Sequence, residues 1–265
     1  MTFKADLHIH TTCSDGTLTP TEVLHLAKEI GLSALSITDH DTIDAYTPSL
    51  FSLAEELQLF LKTGVELSAQ HQEESVHVLG YSFPSDSKLM RDFCAEHQHR
   101  RHRRTLGMLD KLKKEGMDIK ESELLGKGTI GRPHIAEQMV AKGYVKTMKE
   151  AFQLYLGDQQ SCYVIGELFS VQETLDLIHE AGGKAFLAHP ALIKNQKKLR
   201  DLLTMDFDGI ECYYGNFSNE IKEKWRRVAL ERRWLVSGGS DFHGARMSDV
   251  PLGLATVDKA TFFSF

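Results

Sequence analysis

The chain of 265 residues is poor in cysteine, and none of Cys13, Cys94, Cys162 and Cys212 belongs to a Cys-x-x-Cys pair. That scatter excludes a zinc ribbon and a disulfide framework, so the four are read as reduced thiols. No apolar run approaches the length of a membrane span, and Met-Thr-Phe-Lys leads straight into the first expected strand, leaving no room for a secretory leader. A cytoplasmic protein is expected, with no membrane association and no stable protein partner. Internal repeats and low-complexity linkers are missing as well. Net positive charge is absent: the balance is -6, which argues against a general nucleic-acid binder and leaves one dense basic run, His97 to Arg104, as the exception.

What is present describes an ordinary globular protein, with 42% hydrophobic and 26% charged residues. Short apolar runs alternate with amphipathic stretches over the first third: a strand over 5–10, a helix over 22–30 closed by Gly31, a strand over 34–38, a helix over 49–58, and strands over 59–67 and 76–81. This is the βα rhythm of a parallel sheet or barrel. After Pro84 the rhythm stops. From 88 to about 158 the pattern is that of charged amphipathic helices, over 89–115, 119–124, 133–142 and 147–156, and strand–helix alternation then resumes. The expected organisation is a barrel formed by 1–84 and 159–265, with 85–158 as an inserted helical subdomain.

Residues able to bind metal fall at the ends of the apolar runs. His8 and His10 lie one residue apart, so on a strand both imidazoles face one side and can reach one cation. Asp15, His40, Glu66, His77, His189, Asp241 and His243 follow or end other strand-like segments. A barrel gathers the C-terminal ends of its strands on one face, which would bring these nine together. His-x-His taken alone is equally compatible with two solvated side chains. His25, His71 and His179 are set aside because they fall on helix faces or a turn.

The segments Asp6-Leu7-His8-Ile9-His10, Ser14-Asp15-Gly16, Ile37-Thr38-Asp39-His40-Asp41, Gly64-Val65-Glu66-Leu67-Ser68, Val76-His77-Val78-Leu79-Gly80, Ala188-His189-Pro190 and Gly239-Ser240-Asp241-Phe242-His243 together resemble the polymerase and histidinol phosphatase (PHP) family of metal-dependent phosphoesterases, over almost the whole chain. The resemblance implies an α/β fold, a distorted (β/α)7 barrel, with two to three divalent ions (Mn, Fe or Zn). It implies one cation held by His8, His10, Glu66 and Asp241, a second by Glu66 as a bridge with His77 and His189, and a third by Asp15, His40 and His243. Phosphate-ester hydrolysis by a metal-activated hydroxide is the implied chemistry. Gly131-Arg132-Pro133-His134 resembles a motif in the inserted domain of members that dephosphorylate nucleoside 3′,5′-bisphosphates or trim RNA from its 5′ end.

On this reading Arg132 binds a second phosphate through its planar fork, His134 contacts substrate or transfers a proton, and Asp39 and Asp41 orient ligands or touch the attacking water, with Asp39 and His134 as the candidate catalytic residues. The alternatives are a surface cation for Arg132 and a helix cap for His134. The basic run at Arg100–Arg104 either receives the nucleotide backbone or solvates a helix face. The expected substrate is a small phosphorylated nucleotide or short RNA. Rival readings are a phosphatase for another phosphomonoester such as histidinol phosphate, and a non-catalytic, metal-stabilised module that binds RNA ends. Three features depart from the family pattern: Tyr213 to Ser218 stand where relatives carry a histidine or other polar residues, Lys184 precedes a strand whose start is commonly apolar, and a last helix is expected to be missing or short.

Overall fold

The computed structural model describes residues 2–124, 129–157, 159–167, 169–215, 217–247 and 249–265. Its strands are β1 (Ala5–Asp6), β2 (Ala34–Ile37), β3 (Phe60–His71), β4 (Glu74–Tyr81), β5 (Phe169–Ser170), β6 (Lys184–Leu187), β7 (Gly209–Tyr214) and β8 (Leu235–Gly239). The helices are α1 (Pro20–Glu29), α2 (Pro48–Glu56), α3 (Lys88–Lys114), α4 (Arg132–Ala141), α5 (Met148–Ala151), α6 (Val171–Glu180), α7 (Gln196–Leu202), α8 (Asn219–Arg232) and α9 (Lys259–Phe262). Local chemistry sets several of their starts. Thr19 and Ser170 each form a capping box with the glutamate three residues on, satisfying backbone N–H groups that the first helical turn leaves open. Asn216, within the expected substrate segment, lies outside the described residues.

The sheet runs β1-β2-β3-β4-β6-β7-β8, with β5 pairing β3 off this path. Backbone bonds bring its two ends together: Leu7 N–H donates to Gly238 O at 3.2 Å, Asp241 N–H to His8 O at 2.9 Å and His10 N–H to Phe242 O at 2.8 Å. The result is a nearly closed seven-strand α/β barrel. Its departure from a uniform βα rhythm has one cause. β3 and β4 form an antiparallel hairpin, and β4 is antiparallel to β6 as well. Gln72 and Glu73 make the hairpin turn with φ of 46° and 66°, and a turn of two residues cannot return the chain parallel.

The seam between β1 and β8 is sealed by a buried carboxylate. Asp6 Oδ1 accepts from Ser240 N–H at 2.9 Å and His8 N–H at 3.2 Å, while Oδ2 accepts from Ser240 Oγ–H at 2.6 Å and Gly253 N–H at 2.8 Å. Burial raises its pKa to about 6, and those same hydrogen bonds oppose the rise. Gly239 is required beside it, because a Cβ there would stand 2.3 Å from His8 N and 2.7 Å from Asp6 Oδ1. The close approach of β8 to β1 is what lets Asp241 and His243 face His8 and His10.

The helical segment between β4 and β5, expected as an insertion, has a hydrophobic cluster of its own, including Met108, Leu112, Ile135, Met139 and Leu156. α3 spans both parts: Met90 and Cys94 in its first half pack into the barrel core, and Met108 and Leu112 in its second half into the insertion. Arg101, between these halves, is therefore held where barrel and insertion meet. Arg246 adds a second tie, pairing with Glu137 of α4 at 2.6 Å. Among the described residues no helix is long and apolar enough to cross a membrane.

Candidate metal centre

Glu66, in the middle of β3, is buried and meets five imidazoles. Its Oε2 lies 3.2 Å from His8 Nε2, 3.1 Å from His10 Nε2 and 3.2 Å from His40 Nδ1. Its Oε1 lies 2.7 Å from His77 Nδ1 and 3.0 Å from His189 Nε2. Asp241 Oδ1 stands 3.3 Å from His8 Nε2 and 3.0 Å from His10 Nε2. Asp15 is 3.3 Å from His243 Nε2, 3.7 Å from His10 Nδ1 and 4.0 Å from His40 Nε2. All nine expected metal residues thus come together on one face of the barrel.

Three sets within this cluster bring donor atoms to within 4.8 Å of one another: His8, His10, Glu66 and Asp241; His10, Asp15, His40 and His243; and His40, Glu66 and His77. The first set is the one the resemblance implied, and the next adds His10 to the implied trio. In the last set His40 stands beside His77, whereas His189 joins the group through its contact with Glu66 Oε1.

The donors fit divalent cations on a structural criterion. His8 Nε2, both ring nitrogens of His10 and His40 Nδ1 are buried without a hydrogen-bond partner, although carboxylate oxygens lie close by. Each such orphan costs about 1–3 kcal/mol if nothing satisfies it. Nitrogens and oxygens that converge without pointing at one another are arranged around shared points, and imidazole with carboxylate suits first-row divalent ions.

Electrostatics in the pocket are dominated by these contacts. Burial alone would raise the pKa of Glu66, but the imidazoles of His77, His40 and His8 outweigh it and hold the carboxyl well below its usual range. Burial likewise opposes the lowering of Asp241, whose pKa is held down by His8, His10 and His243. For His10, burial works downward and the adjacent Asp241 and Glu66 carboxylates prevail, raising the pKa to about 10. His40 goes the other way, to about 3, because burial dominates.

The residues behind the donors hold them in place. Glu211 of β7, absent from the sequence-based set, is fully buried, with Oε1 2.8 Å from His8 Nδ1 and Oε2 accepting from His189 N–H at 2.7 Å. It therefore sets two ligand-type histidines at once. Tyr214 Oη–H donates to Asp241 Oδ2 at 2.8 Å, so part of the segment noted as departing from the family pattern reaches the centre. Asp39 accepts at 2.7 Å from Thr11 N–H, 2.6 Å from Thr11 Oγ1–H and 2.6 Å from Ser14 Oγ–H. Both of its oxygens are engaged by the loop between His10 and Asp15. Asp41 accepts from Ser68 N–H at 2.7 Å and from Arg101 Nε–H. His189, Asp241 and Asp41 have φ of 27°, 59° and 51°, strained values that the surrounding contacts maintain.

The insertion supplies the far wall. Arg101, Arg104, Arg132, Pro133 and Phe152 line a small cavity of about 130 Å³ together with Asp15, His40 and His77. The basic run divides by helix face. Arg100 and Arg103 point away, pairing with Glu96 at 2.9 Å and Glu167 at 3.0 Å, while Arg101 and Arg104, three apart, share the inner face. Arg132 lies over the rings of Tyr163 and Phe152 at 5.4 and 5.8 Å. His134 is buried, and its Nδ1 accepts from Gly131 N–H at 3.0 Å, capping its own helix. His71 and His179 lie apart from the centre, each bonded to an aspartate, Asp201 at 2.7 Å and Asp208 at 2.8 Å.

Comparison with known proteins agrees with this geometry. The PHP domain family matches residues 6–223. The chain is 34% identical over 250 residues to a 5′-3′ exoribonuclease of Haemophilus influenzae, covering 92% of this chain and 91% of the relative. It is 29% identical over 255 residues to a 3′,5′-nucleoside bisphosphate phosphatase of Chromobacterium violaceum, covering 90% and 86%. A Bifidobacterium adolescentis structure assigned to the metal-dependent phosphoesterases superposes with a TM-score of 0.86 at 29% identity, covering 97% of this chain and 93% of that one.

Two outcomes are expected. At neutral pH the metal-depleted protein keeps His10 protonated, since its pKa is raised to about 10, and a cation must displace that proton. Mn²⁺ binding followed by calorimetry in buffers of differing ionisation enthalpy should therefore release protons, and affinity should rise between about pH 6 and about pH 9. Proton uptake, or affinity falling with pH, would contradict this. Glu211→Gln should weaken Mn²⁺ binding roughly 10–100-fold in competition with a fluorescent chelator, with the fold retained by circular dichroism; unchanged affinity would remove Glu211 from the site.

Proposed function

The chain belongs to the PHP family of metal-dependent phosphoesterases, and we propose that it hydrolyses the phosphoester on the 3′-oxygen of a 5′-phosphorylated nucleotide. One bond then accounts for both substrate types named among its relatives. Water adds to phosphorus, the bond from phosphorus to O3′ breaks, and O3′ leaves with a proton. A nucleoside 3′,5′-bisphosphate gives a 5′-mononucleotide and inorganic phosphate; a 5′-phosphorylated RNA gives a 5′-mononucleotide and a chain whose new end again carries a 5′-phosphate.

The observation carrying this reading is the pairing of two anion-suited features. Arg101, Arg104 and Arg132 line the same small cavity as Asp15, His40 and His77. A phosphomonoesterase acting on a singly phosphorylated molecule needs the histidine and carboxylate cluster alone, whereas a second phosphate explains Arg104 and Arg132 beside it, Arg101 being paired with Asp41. Arg104 and Arg132 are set in advance: Arg104 Nε–H donates to Val164 O at 2.7 Å, and both guanidinium groups lie over Tyr163, at 5.3 and 5.4 Å. That ordering reduces the entropy lost when a phosphate binds.

His8, His10, Asp15, His40, Glu66, His77, His189, Asp241 and His243 would hold two to three divalent cations, with Mn, Fe or Zn suited to the donors. When bound, these would polarise the phosphoryl oxygens and lower the pKa of the attacking water. Glu211 and Tyr214 keep the imidazoles and Asp241 aimed inward. We assign Asp39 to positioning the loop that carries Asp15, because both its oxygens are taken up there. His134 we assign to fixing the N-terminus of α4, and with it the direction of Arg132.

The test is phosphate and nucleotide release by the full chain with Mn²⁺ from adenosine 3′,5′-bisphosphate, 5′-AMP, histidinol phosphate and a 5′-phosphorylated RNA. The bisphosphate should be preferred over 5′-AMP, and Arg132→Ala should lower kcat/KM for the bisphosphate about 10–100-fold, the loss of a charge-assisted contact. Equal turnover of 5′-AMP and the bisphosphate would overturn the second phosphate site. Faster turnover of histidinol phosphate would favour the small-phosphomonoester alternative, and RNA binding without any turnover would favour a non-catalytic module.

A further inference from the structure

A second, larger cleft of about 610 Å³ shares Ser75, His77 and Arg132 with the arginine-lined cavity and then runs past His189 to Lys194 and Asn195, on the segment between β6 and α7. This extension goes beyond what a mononucleotide requires. On the proposed reading one phosphate takes the arginines and the other His77 and His189, which leaves Lys194 and Asn195 of the same cleft without a role. The far part, at Lys194, lies past the reacting phosphate.

The chemistry of the far part suits a polyanion. Lys194 is exposed, and among the described residues it has no ion-pair partner. Glu74, the acidic residue of this cleft, is paired with Lys198 at 3.4 Å, so its charge is offset and that of Lys194 is left over. Leu192, 52% exposed, places apolar surface on the same wall. A cation next to apolar surface in an open groove matches a single-stranded nucleic acid, whose charged backbone alternates with bases.

We propose that this extension binds the nucleotide following the scissile phosphate, with Lys194 contacting the next backbone phosphate, so that the site is built for an oligonucleotide as well as for a mononucleotide. The inference rests on the 3′-phosphoester reading above. After hydrolysis the remaining chain keeps its phosphate and stays on the Lys194 side. It can then advance until its new 5′-phosphate meets the arginines.

The experiment compares the full-length wild type, Lys194→Glu, Lys194→Ala and Lys194→Arg, with Mn²⁺, on adenosine 3′,5′-bisphosphate and on a 5′-phosphorylated RNA of ten nucleotides. Lys194→Glu should raise KM for the RNA by about fivefold or more and leave kcat/KM for the bisphosphate within about twofold, with Lys194→Arg close to wild type. In Lys194→Ala the dependence of log KM for RNA on log salt should flatten by about 0.7, the loss of one single-strand phosphate contact. Equal loss on both substrates, or no change on RNA, overturns the proposal. Binding of a 3′-fluorescein, 2′-O-methyl RNA by anisotropy separates the two readings. If the wild type turns over neither substrate, the 3′-phosphoester reading fails, and equally tight RNA binding by wild type and Lys194→Glu overturns the Lys194 contact independently. A wild type that hydrolyses the bisphosphate but neither cleaves nor binds RNA leaves the phosphatase reading standing and removes this one.

Discussion

Everything in this structure is arranged around one buried carboxylate. Glu66 meets His8, His10 and His40 on one oxygen and His77 and His189 on the other, all within 3.2 Å. A carboxylate 1% exposed is tolerated only if positive charge surrounds it, and here that charge must come from imidazoles and the cations they suit. The five histidines reside on or after β1, β2, β4 and β6, so the surroundings of Glu66 are complete only when these strands have joined β3 in the sheet. Asp6 and Gly239 matter for the same reason: they seal the seam through which Asp241 and His243 enter from β8.

The insertion is not an appendage to this centre. Through Arg101 it holds Asp41, next to His40, and Ser68, two residues from Glu66, with Arg101 Nη2–H donating to Ser68 Oγ at 2.6 Å. The guanidinium that joins the two parts also lines the cavity proposed for the second phosphate. The side chain that braces the segments carrying His40 and Glu66 is thus also one that the proposed phosphate would meet.

Much of this was legible in the sequence, for definite reasons. The spacing of His8 and His10 predicts that both imidazoles reach one point, and both do reach Glu66, although β1 ends at Asp6 and the two lie beyond it; the barrel rule places His40, His189 and Asp241 shortly past the ends of β2, β6 and β8, whereas Glu66 lies within β3, which runs on to His71, rather than at its end. The hairpin of β3 and β4 was not legible as antiparallel, because Gln72-Glu73 lacks the Asn or Gly that usually marks a turn with two positive φ values. Glu211 was missed because a single glutamate in Gly209-Ile210-Glu211-Cys212 has no partner in sequence; an isolated carboxylate in an apolar strand was the available signal. The basic run from Arg100 to Arg104 was visible as charge. Its division into an inner face and an outer one depends on how α3 is rotated, which packing at Cys94 and Met108 decides.

The central claim is that Glu66 is the shared hub of a multi-cation site. Elemental analysis of the full chain and of Glu66→Gln, each loaded with Mn²⁺ and freed of excess metal, tests it directly. At least two cations per wild-type chain, with less than about half of that content retained by the variant, is the expected result, since removing a bridging carboxylate disturbs every cation it serves. Equal metal content in the two proteins, with both folded, would contradict it.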